Sequence, residues 1–287
     1  MITNIAIIIV LYNPTKEQIS YLDITSKIEN DNYHFHFIIV DNSDKINVTT
    51  LHSNNLYYIP NGENKGIAYA QNIGINKAKE LDCEYIVFFD QDSKCSADYI
   101  KNMISEYKQI KLCNNSIATL GPLIVDKNTN IAYKGNHNTN HSFSEVDTII
   151  SSGSVMETVN FDIIGGMEEK LFIDLVDHEW CWRAKSLGYT CYQTSRVSIY
   201  HKVGNYNKTL FGFPIIISAP IRYYYKYRNF IWMLKRPYVP IRWKIKEIIR
   251  KSIEFVCVPI MAKNKTIYHH SLKGFKDGII KKSLNIN

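Results

Sequence analysis

Over the first ninety positions the apolar residues fall into short unbroken runs, separated by polar stretches in which they recur every third or fourth residue. Ile5 to Leu11, Phe35 to Val40 and Glu84 to Phe89 are the runs. They are rich in β-branched and aromatic side chains and do not alternate, as strands covered on both faces of a sheet require. Between the first two, Pro14 can open a helix carrying Ile19, Leu22 and Ile28 at near-helical spacing. Between the second and third, a polar loop holds the short apolar run Leu56 to Ile59. Ile67, Ala70, Gly74, Ala78 and Leu81 then recur at turns of a helix, and Asn64 is suited to cap it. Strands alternating with helices through short links predict right-handed crossovers and a mostly parallel α/β sheet. Residues 126 to 145 are polar, rich in Asn and read as loop.

At 287 residues the chain can bury a full α/β core and carry a smaller appendage. Its six cysteines are scattered, with no Cys-x-x-Cys pair and no histidine spacing that points to zinc, so a reduced, cytoplasmic setting is expected. The apolar run at the N-terminus has no basic lead and is too short to span a bilayer, so it reads as the first buried strand. The net charge of +7 is unevenly placed. Between Arg222 and Lys251 ten Lys or Arg face one acid, Glu247, and are interleaved with Tyr223, Tyr224, Tyr225, Tyr227, Trp232, Tyr238 and Trp243. Such a segment can lie on anionic lipid. It can also bind single-stranded nucleic acid, or be a solvated helical face packed on the rest of the protein. The apolar stretches Leu210 to Pro220 and Phe255 to Ala262 are each too short to cross a bilayer.

The third run ends in Asp90-Gln-Asp92, and ligands of open α/β sheets bind at the carboxyl ends of strands. Two carboxylates there suit Mg²⁺ or Mn²⁺, hard ions that are commonly held by one or two protein carboxylates together with substrate phosphates. The second run ends in Asp41 and the first in Tyr12, on the same expected edge, with a helix N-terminus near Asn64, Lys65 and Gly66 that would favour phosphate. The conjunction predicts a nucleotide-shaped site. The plainer account of each residue singly is a turn or a cap.

The ordered series Val10-Leu-Tyr-Asn13, Val40-Asp41-Asn, Asn64-Lys-Gly-Ile-Ala-Tyr-Ala-Gln-Asn72-Ile-Gly74, Asp90-Gln-Asp92-Ser, Ser152-Gly153-Ser, Gly165-Gly-Met-Glu-Glu and Phe172-Ile-Asp-Leu-Val-Asp177-His-Glu179-Trp180-Cys-Trp-Arg183 resembles the family 2 inverting glycosyltransferases of GT-A fold. Within them it is most similar to bacterial rhamnosyltransferases of surface-polysaccharide assembly. The resemblance covers about the first two-thirds of the chain. It implies a GT-A catalytic domain over residues 1–205 and a basic, aromatic-rich helical appendage over 206–287. It further implies a nucleotide-sugar donor, dTDP-L-rhamnose foremost, a Mg²⁺ or Mn²⁺ ion, and a polyprenyl-diphosphate-linked oligosaccharide acceptor. The enzyme would then sit peripherally on the anionic cytoplasmic face of the inner membrane, with no nucleic-acid partner.

By position, the resemblance gives Asp41 the nucleobase, Asp90 the ribose or metal, and Asp92 the metal. Tyr12, Asn64, Lys65 and Gly66 would line the donor site. Where the family usually has Glu-Asp, this chain has Val176-Asp177, so Asp177 matches the base and Glu179 is a rival. His201 stands where the family often has a metal-binding histidine, and Trp180 is placed on the acceptor side. The chemistry asks for the same types, since inverting transfer needs a carboxylate to take the acceptor proton and a cation to stabilise the leaving diphosphate. For Glu179 the structural alternative is an i,i+4 pair with Arg183. A UDP-hexose donor, a sugar-nucleotidyltransferase and a non-catalytic membrane-binding protein are the other readings. The second should carry a Gly-rich loop after the first strand, where this chain has Leu11-Tyr-Asn-Pro-Thr15.

Overall fold

A computed structural model describes residues 2–25, 32–47, 54–93, 95–126, 142–201, 208–210, 213–215 and 217–281. The elements run β1 (Thr3–Leu11), α1 (Lys16–Thr25), β2 (Tyr33–Asp41), β3 (Leu56–Pro60), α2 (Ile67–Glu80), β4 (Tyr85–Asp90), α3 (Ala97–Cys113), β5 (Ile117–Asp126), β6 (Phe143–Val146), β7 (Val155–Glu157), α4 (Asn160–Ile163), α5 (Val176–Ser186) and β8 (Thr190–His201). They continue as β9 (Lys208–Leu210), β10 (Phe213–Ile215), α6 (Pro220–Lys235), α7 (Ile241–Ala262) and α8 (Lys265–Ile280). Among the described residues eight strands form one sheet in the order β3-β2-β1-β4-β7-β5-β8-β6. The first four are parallel, β7 is antiparallel to both its neighbours, and β8 is parallel to β5. The carboxyl ends of β1, β2, β4, β5 and β8 therefore share one edge.

The unbroken apolar runs have the expected cause. Along β1, Ala6 and Ile8 face one core while Ile5, Ile7, Ile9 and Leu11 face the other, and β2 and β4 divide in the same way. Helices α2, α4 and α5 cover the first face; α3 covers the second, its start capped by Ser96. Leu56 to Ile59 proves to be an edge strand, and part of the expected loop, Phe143 to Val146, is the other edge. The remainder of that expectation, 127 to 141, and Ile28 lie outside the described residues.

The C-terminal segment differs from the expected helical run from 206. Among the described residues it begins with the antiparallel pair β9 and β10, which takes in 210 and 213–215 of the Leu210 to Pro220 stretch, and helix α6 starts at Pro220. Nor does that helix stand apart from the sheet, because Trp232 and Met233 of α6, with Val239, belong to the same buried cluster as α2 and α5. Helix α8 lies closely along α6; a Cβ at Gly274 would collide with the Tyr224 carbonyl. Among the described residues no helix is long and apolar enough to cross a membrane.

Candidate active site

Register places the expected residues of three strand ends side by side. Leu11 is opposite Asp41 and Val10 is opposite Asp90, so β1 lies between the two acids. Asp90 is half-buried and Asp92 exposed. Tyr12, an exposed residue, donates its backbone N–H to Gln91 Oε1 at 2.8 Å, and the Asn13 N–H reaches Ser43 Oγ at 2.7 Å, tying the β1 loop to both neighbours.

Asp41 is buried at 1% exposure and accepts from the Ser43 N–H (3.0 Å), Asn47 Nδ2 (3.0 Å) and the Tyr58 hydroxyl (2.5 Å). Burial pushes its pKa up, but these hydrogen bonds to the charged form outweigh it and hold the carboxyl below the usual range. The Ser43 hydroxyl is a fourth partner, so the roughly four acceptor positions of the carboxylate are taken up inside the protein.

The start of α2 departs from expectation. Gly66, not Asn64, is the residue before the helix, and Asn64 Oδ1 accepts from the Gly66 N–H and from Asn42 Nδ2, both at 3.0 Å. The Lys65 N–H goes to Asn42 Oδ1 and the Ile67 N–H to the Phe172 carbonyl at 2.7 Å. The N–H groups of 65, 66 and 67 are thus used inside the protein and are not an open phosphate cradle. Gly66 has φ +89° and a Cβ there would strike Phe172, so glycine is required by the approach of that loop. The Lys65 ammonium stays near solvent, 3.3 Å from Glu63 Oε1 and over the Tyr69 ring.

That loop carries the fourth component. Phe172, Asp174 and Leu175 have φ of 65°, 65° and 66°, three non-glycine residues in the left-handed region directly before α5. Each costs on the order of 1–3 kcal/mol, and such strain collects at functional sites. It delivers Asp177 in the first turn of α5, where the carboxylate accepts from the backbone N–H and hydroxyl of Ser151. Gln71 Nε2 holds the same hydroxyl at 3.1 Å. The Ser151–Ser154 turn is itself bonded to β4, with Gly153 N–H to the Phe88 carbonyl at 2.7 Å. Burial raises the Asp177 pKa to about 6; the Ser151 bonds oppose the rise, and the charges of Asp90 and Asp174 add to it. Asp177 therefore lies within electrostatic reach of the strand-end acids, and its carboxylate is more basic than an ordinary one.

The two neighbours of Asp177 on α5 are elsewhere. Glu179 is 1% exposed, paired with Arg183 at 2.9 Å as the i,i+4 alternative foresaw, and with Arg236 at 3.0 Å, and it accepts from the Tyr238 hydroxyl at 2.7 Å. Glu168 closes the cluster through Arg236. A carboxylate so enclosed cannot meet an acceptor hydroxyl, which removes Glu179 as rival base. Trp180 is also 1% exposed, packed on Phe161 with its indole N–H on the Gly165 carbonyl at 2.9 Å. It lines the small cavity behind Asp177 and offers no ring face to an acceptor, so that assignment too is corrected. The Gly165-Gly-Met segment is an anchor: Asn72 bonds the Met167 N–H and carbonyl, and Arg183 bonds the Gly166 carbonyl.

The backbone of His201 ends β8 beside Asp126 on the same sheet edge; its side chain lies outside the described residues. Among the described residues no group of three or more His, Cys, Asp or Glu forms a metal cluster. Ser151, Gln71, Asn42 and Tyr58 were missed as site-building residues. The Ser151-Ser-Gly-Ser run and the Val-Asp-Asn strand end are the signals that could have found the first and third.

The family model "Glycosyl transferase family 2" matches residues 6–137 of this chain. Over 282 residues, 93% of this chain and 92% of the relative, the sequence is 31% identical to dTDP-rhamnosyl transferase RfbF of Shigella flexneri. The chain belongs to glycosyl transferase family 2. Solved structures agree on the fold alone. S. aureus TarS 1–349 in complex with UDP-GlcNAc superposes with a TM-score of 0.58 at 14% identity over 96% of this chain and 82% of that one. GalNAc-T7 with UDP, GalNAc and Mn²⁺ gives 0.55 at 13% identity over 98% of this chain and 56% of that one. The fold of this glycosyltransferase is GT-A, with a helical C-terminal region.

Proposed function

We propose that this glycosyltransferase moves L-rhamnose from dTDP-L-rhamnose, with inversion, onto a hydroxyl of a polyprenyl-diphosphate-linked saccharide at the cytoplasmic face of the inner membrane. Asp177 is its base. The observation that carries the chemistry is the place of the Asp177 carboxyl in the first turn of α5, held by Ser151 near the Asp90 strand end, where burial raises its pKa to about 6. The donor assignment is supported by the identity to RfbF along nearly the whole chain.

In this reading Asp177 takes the proton of the acceptor hydroxyl as its oxygen attacks the anomeric carbon, and the bond from that carbon to the diphosphate oxygen breaks with its electron pair on the diphosphate. A base near neutrality is ionised yet basic enough for such a transfer. Asp41, Tyr12 and Lys65 face the nucleoside side of the donor, with Asn64 and Gly66 shaping that wall from behind. Asp90 and Asp92 would hold a Mg²⁺ or Mn²⁺ ion through hard carboxylate oxygens at one strand end; His201 is the family's candidate to join them. Such an ion supplies Lewis-acid stabilisation of the leaving group when bound.

A thermal-shift panel tests the donor. With Mn²⁺ present, dTDP at about a hundred times its Kd stabilises the protein by about 2.7 kcal/mol, and UDP and GDP at the same concentration by less. A larger shift with UDP would move the reading to a UDP-sugar donor.

The membrane reading changes its footing. Of the ten cations between 222 and 251, Arg222, Lys226, Arg228, Lys235, Arg236, Lys244, Arg250 and Lys251 are engaged by acids or carbonyls of the protein. Arg242 and Lys246 are exposed along one flank of α7. Beside them Ile241, Ile245, Ile248, Ile249, Ile253, Val256 and Ile260 recur at spacings of three, four or their neighbours, each between 47% and 70% exposed. An apolar groove of about 600 Å³ opens next to them, lined by Phe230, Leu234, Ile248, Phe255, Leu272 and Phe275. Two cations contribute about 1 kcal/mol each at an anionic surface, whereas burying the rest of seven half-exposed aliphatic side chains contributes about 1 kcal/mol apiece. Insertion of the α7 face into an anionic leaflet therefore dominates, and charge orients it. In vesicle flotation Ile245→Ser with Ile249→Ser and Ile253→Ser should release the protein, while Arg242→Ser with Lys246→Ser should only weaken it. Equal recovery of wild type and the isoleucine variant with vesicles would reject the face, as would tighter binding to single-stranded nucleic acid.

A further inference from the structure

Resting on the assignment of Asp177 as base, we propose that Asn229 of α6 is a positioning residue for that base, through a clamp on the strained loop that precedes it. Asn229 is fully buried at 0% exposure, more than fifty residues from the loop in sequence. Its amide nitrogen donates to three carbonyl groups of the loop, Leu171 (2.9 Å), Ile173 (2.8 Å) and Asp174 (2.9 Å). Its amide oxygen accepts from Arg228 Nε and Nη2 at 3.1 and 2.9 Å, and the same guanidinium reaches the Lys170 and Leu171 carbonyls. These bonds fix the amide with its nitrogen toward the loop.

The rest of α6 grips the loop from the same side. Arg222 makes a two-pronged pair with the Asp174 carboxylate, 2.8 Å at its shortest, and the Phe172 ring stacks on Tyr225 at 4.4 Å and 7°. From the other side the Ile67 N–H takes the Phe172 carbonyl. Three left-handed non-glycine residues in four positions persist only when their surroundings over-determine them, and Asn229 bonds three of the carbonyls on either side of Phe172. Asn is the residue type the geometry demands. Asp would set negative oxygen against three carbonyl oxygens, and an aliphatic side chain would take the buried amide donor away from the Ile173 and Asp174 carbonyls. Helix α6 thus belongs to the catalytic apparatus: it sets where α5 begins and so where the Asp177 carboxylate stands.

The test measures release of dTDP from dTDP-L-rhamnose, with water or an added rhamnoside as acceptor, well below each variant's melting temperature. Asn229→Asp and Asn229→Ala should lower kcat by about tenfold or more, since small misplacements of a catalytic group cost that much, with the donor KM changed less than about twofold. Adding Asn229→Ala to Asp177→Asn should lower kcat little further, because the two act as a unit. A purely structural Asn229 would lower the melting temperature, leave kcat near wild type in the folded fraction, and multiply with Asp177→Asn. Either of those last two kinetic results overturns the proposal. If no Asn229 variant folds, Arg222→Gln decides, because its guanidinium is 46% exposed and the Gln amide can still donate to the Asp174 carboxylate. It should lose several-fold in kcat at unchanged KM and melting temperature, and wild-type kcat would overturn the clamp. Should Asp177→Asn itself turn over like wild type, the base assignment fails and takes the clamp with it. Should Asp177→Asn be inactive while Asn229→Asp is unimpaired, only the clamp falls.

Discussion

Asp177→Asn abolishes transfer while making the protein more stable. The variant keeps the shape of the side chain and its place beside Ser151 but cannot accept a proton, so turnover falls by about a hundredfold or more, with donor affinity near wild type. Its stability moves the other way. The folded-state pKa of Asp177 is raised from 3.8 to about 6, so the favourable contribution of this group is fully present below its unfolded pKa and is lost as pH rises through 6. At pH 7.5 the ionised, partly buried carboxylate costs up to about 3 kcal/mol, two pKa units at about 1.4 each. The amide removes that cost and should raise the melting temperature on the order of 5 °C. Wild type should lose stability between about pH 4 and 7 relative to the variant, and its kcat should fall on the acid side of about pH 6. Glu179→Gln has the opposite signature, because leaving Arg236 partly unpaired in a buried cluster costs about 3 kcal/mol or more. Melting curves and kcat for the two variants across pH 5 to 8 separate them. A stable, inactive Glu179→Gln beside an active Asp177→Asn would reverse the assignment.

Removal of divalent metal has the second largest expected effect. Asp90 ends β4, where its charge already reaches Asp177, and Asp92 follows two residues later. A cation held there would supply several kcal/mol of stabilisation to the departing diphosphate, equivalent to about a hundredfold or more in rate. Chelation should therefore stop turnover, and added Mn²⁺ should restore it. Asp92→Asn should weaken dTDP binding in Mn²⁺ and leave it unchanged without metal, which calorimetry reads independently of activity. Full activity in excess chelator would remove the ion from the account.

The half of the site built on strand ends was legible in the sequence, and the half built by long-range contacts was not. Unbroken apolar runs ending in Asp41 and in Asp90-Gln-Asp92 put these acids on one sheet edge, that of the candidate site, because a parallel sheet brings the carboxyl ends of its strands together whatever its loops do. The same local reasoning misplaced the helix start at Asn64, since it could not see that the Phe172 carbonyl, about a hundred residues later, takes the first helical N–H. Trp180 was readable and was misread. Val176, Trp180 and Ala184 recur every four residues on α5, and that stripe is the face turned to the core. Glu179 and the basic segment failed for a shared reason. Arg236, Arg228 and Arg222 look like a solvated charge run, but their partners Glu179, Leu171 and Asp174 lie about fifty to sixty residues upstream, and only packing of α6 against the sheet brings them within reach. The short strand Phe143–Val146 was hidden in a polar surrounding that carries no period of its own.

The most direct test of the central claim is a product analysis of the full chain with Mn²⁺, offering dTDP-L-rhamnose and UDP-hexoses separately to a rhamnoside acceptor. Release of dTDP with formation of a rhamnosyl product of anomeric configuration opposite to the donor, absent in Asp177→Asn, is the predicted result. A product of retained configuration, or equal turnover of the UDP-hexoses, would contradict it.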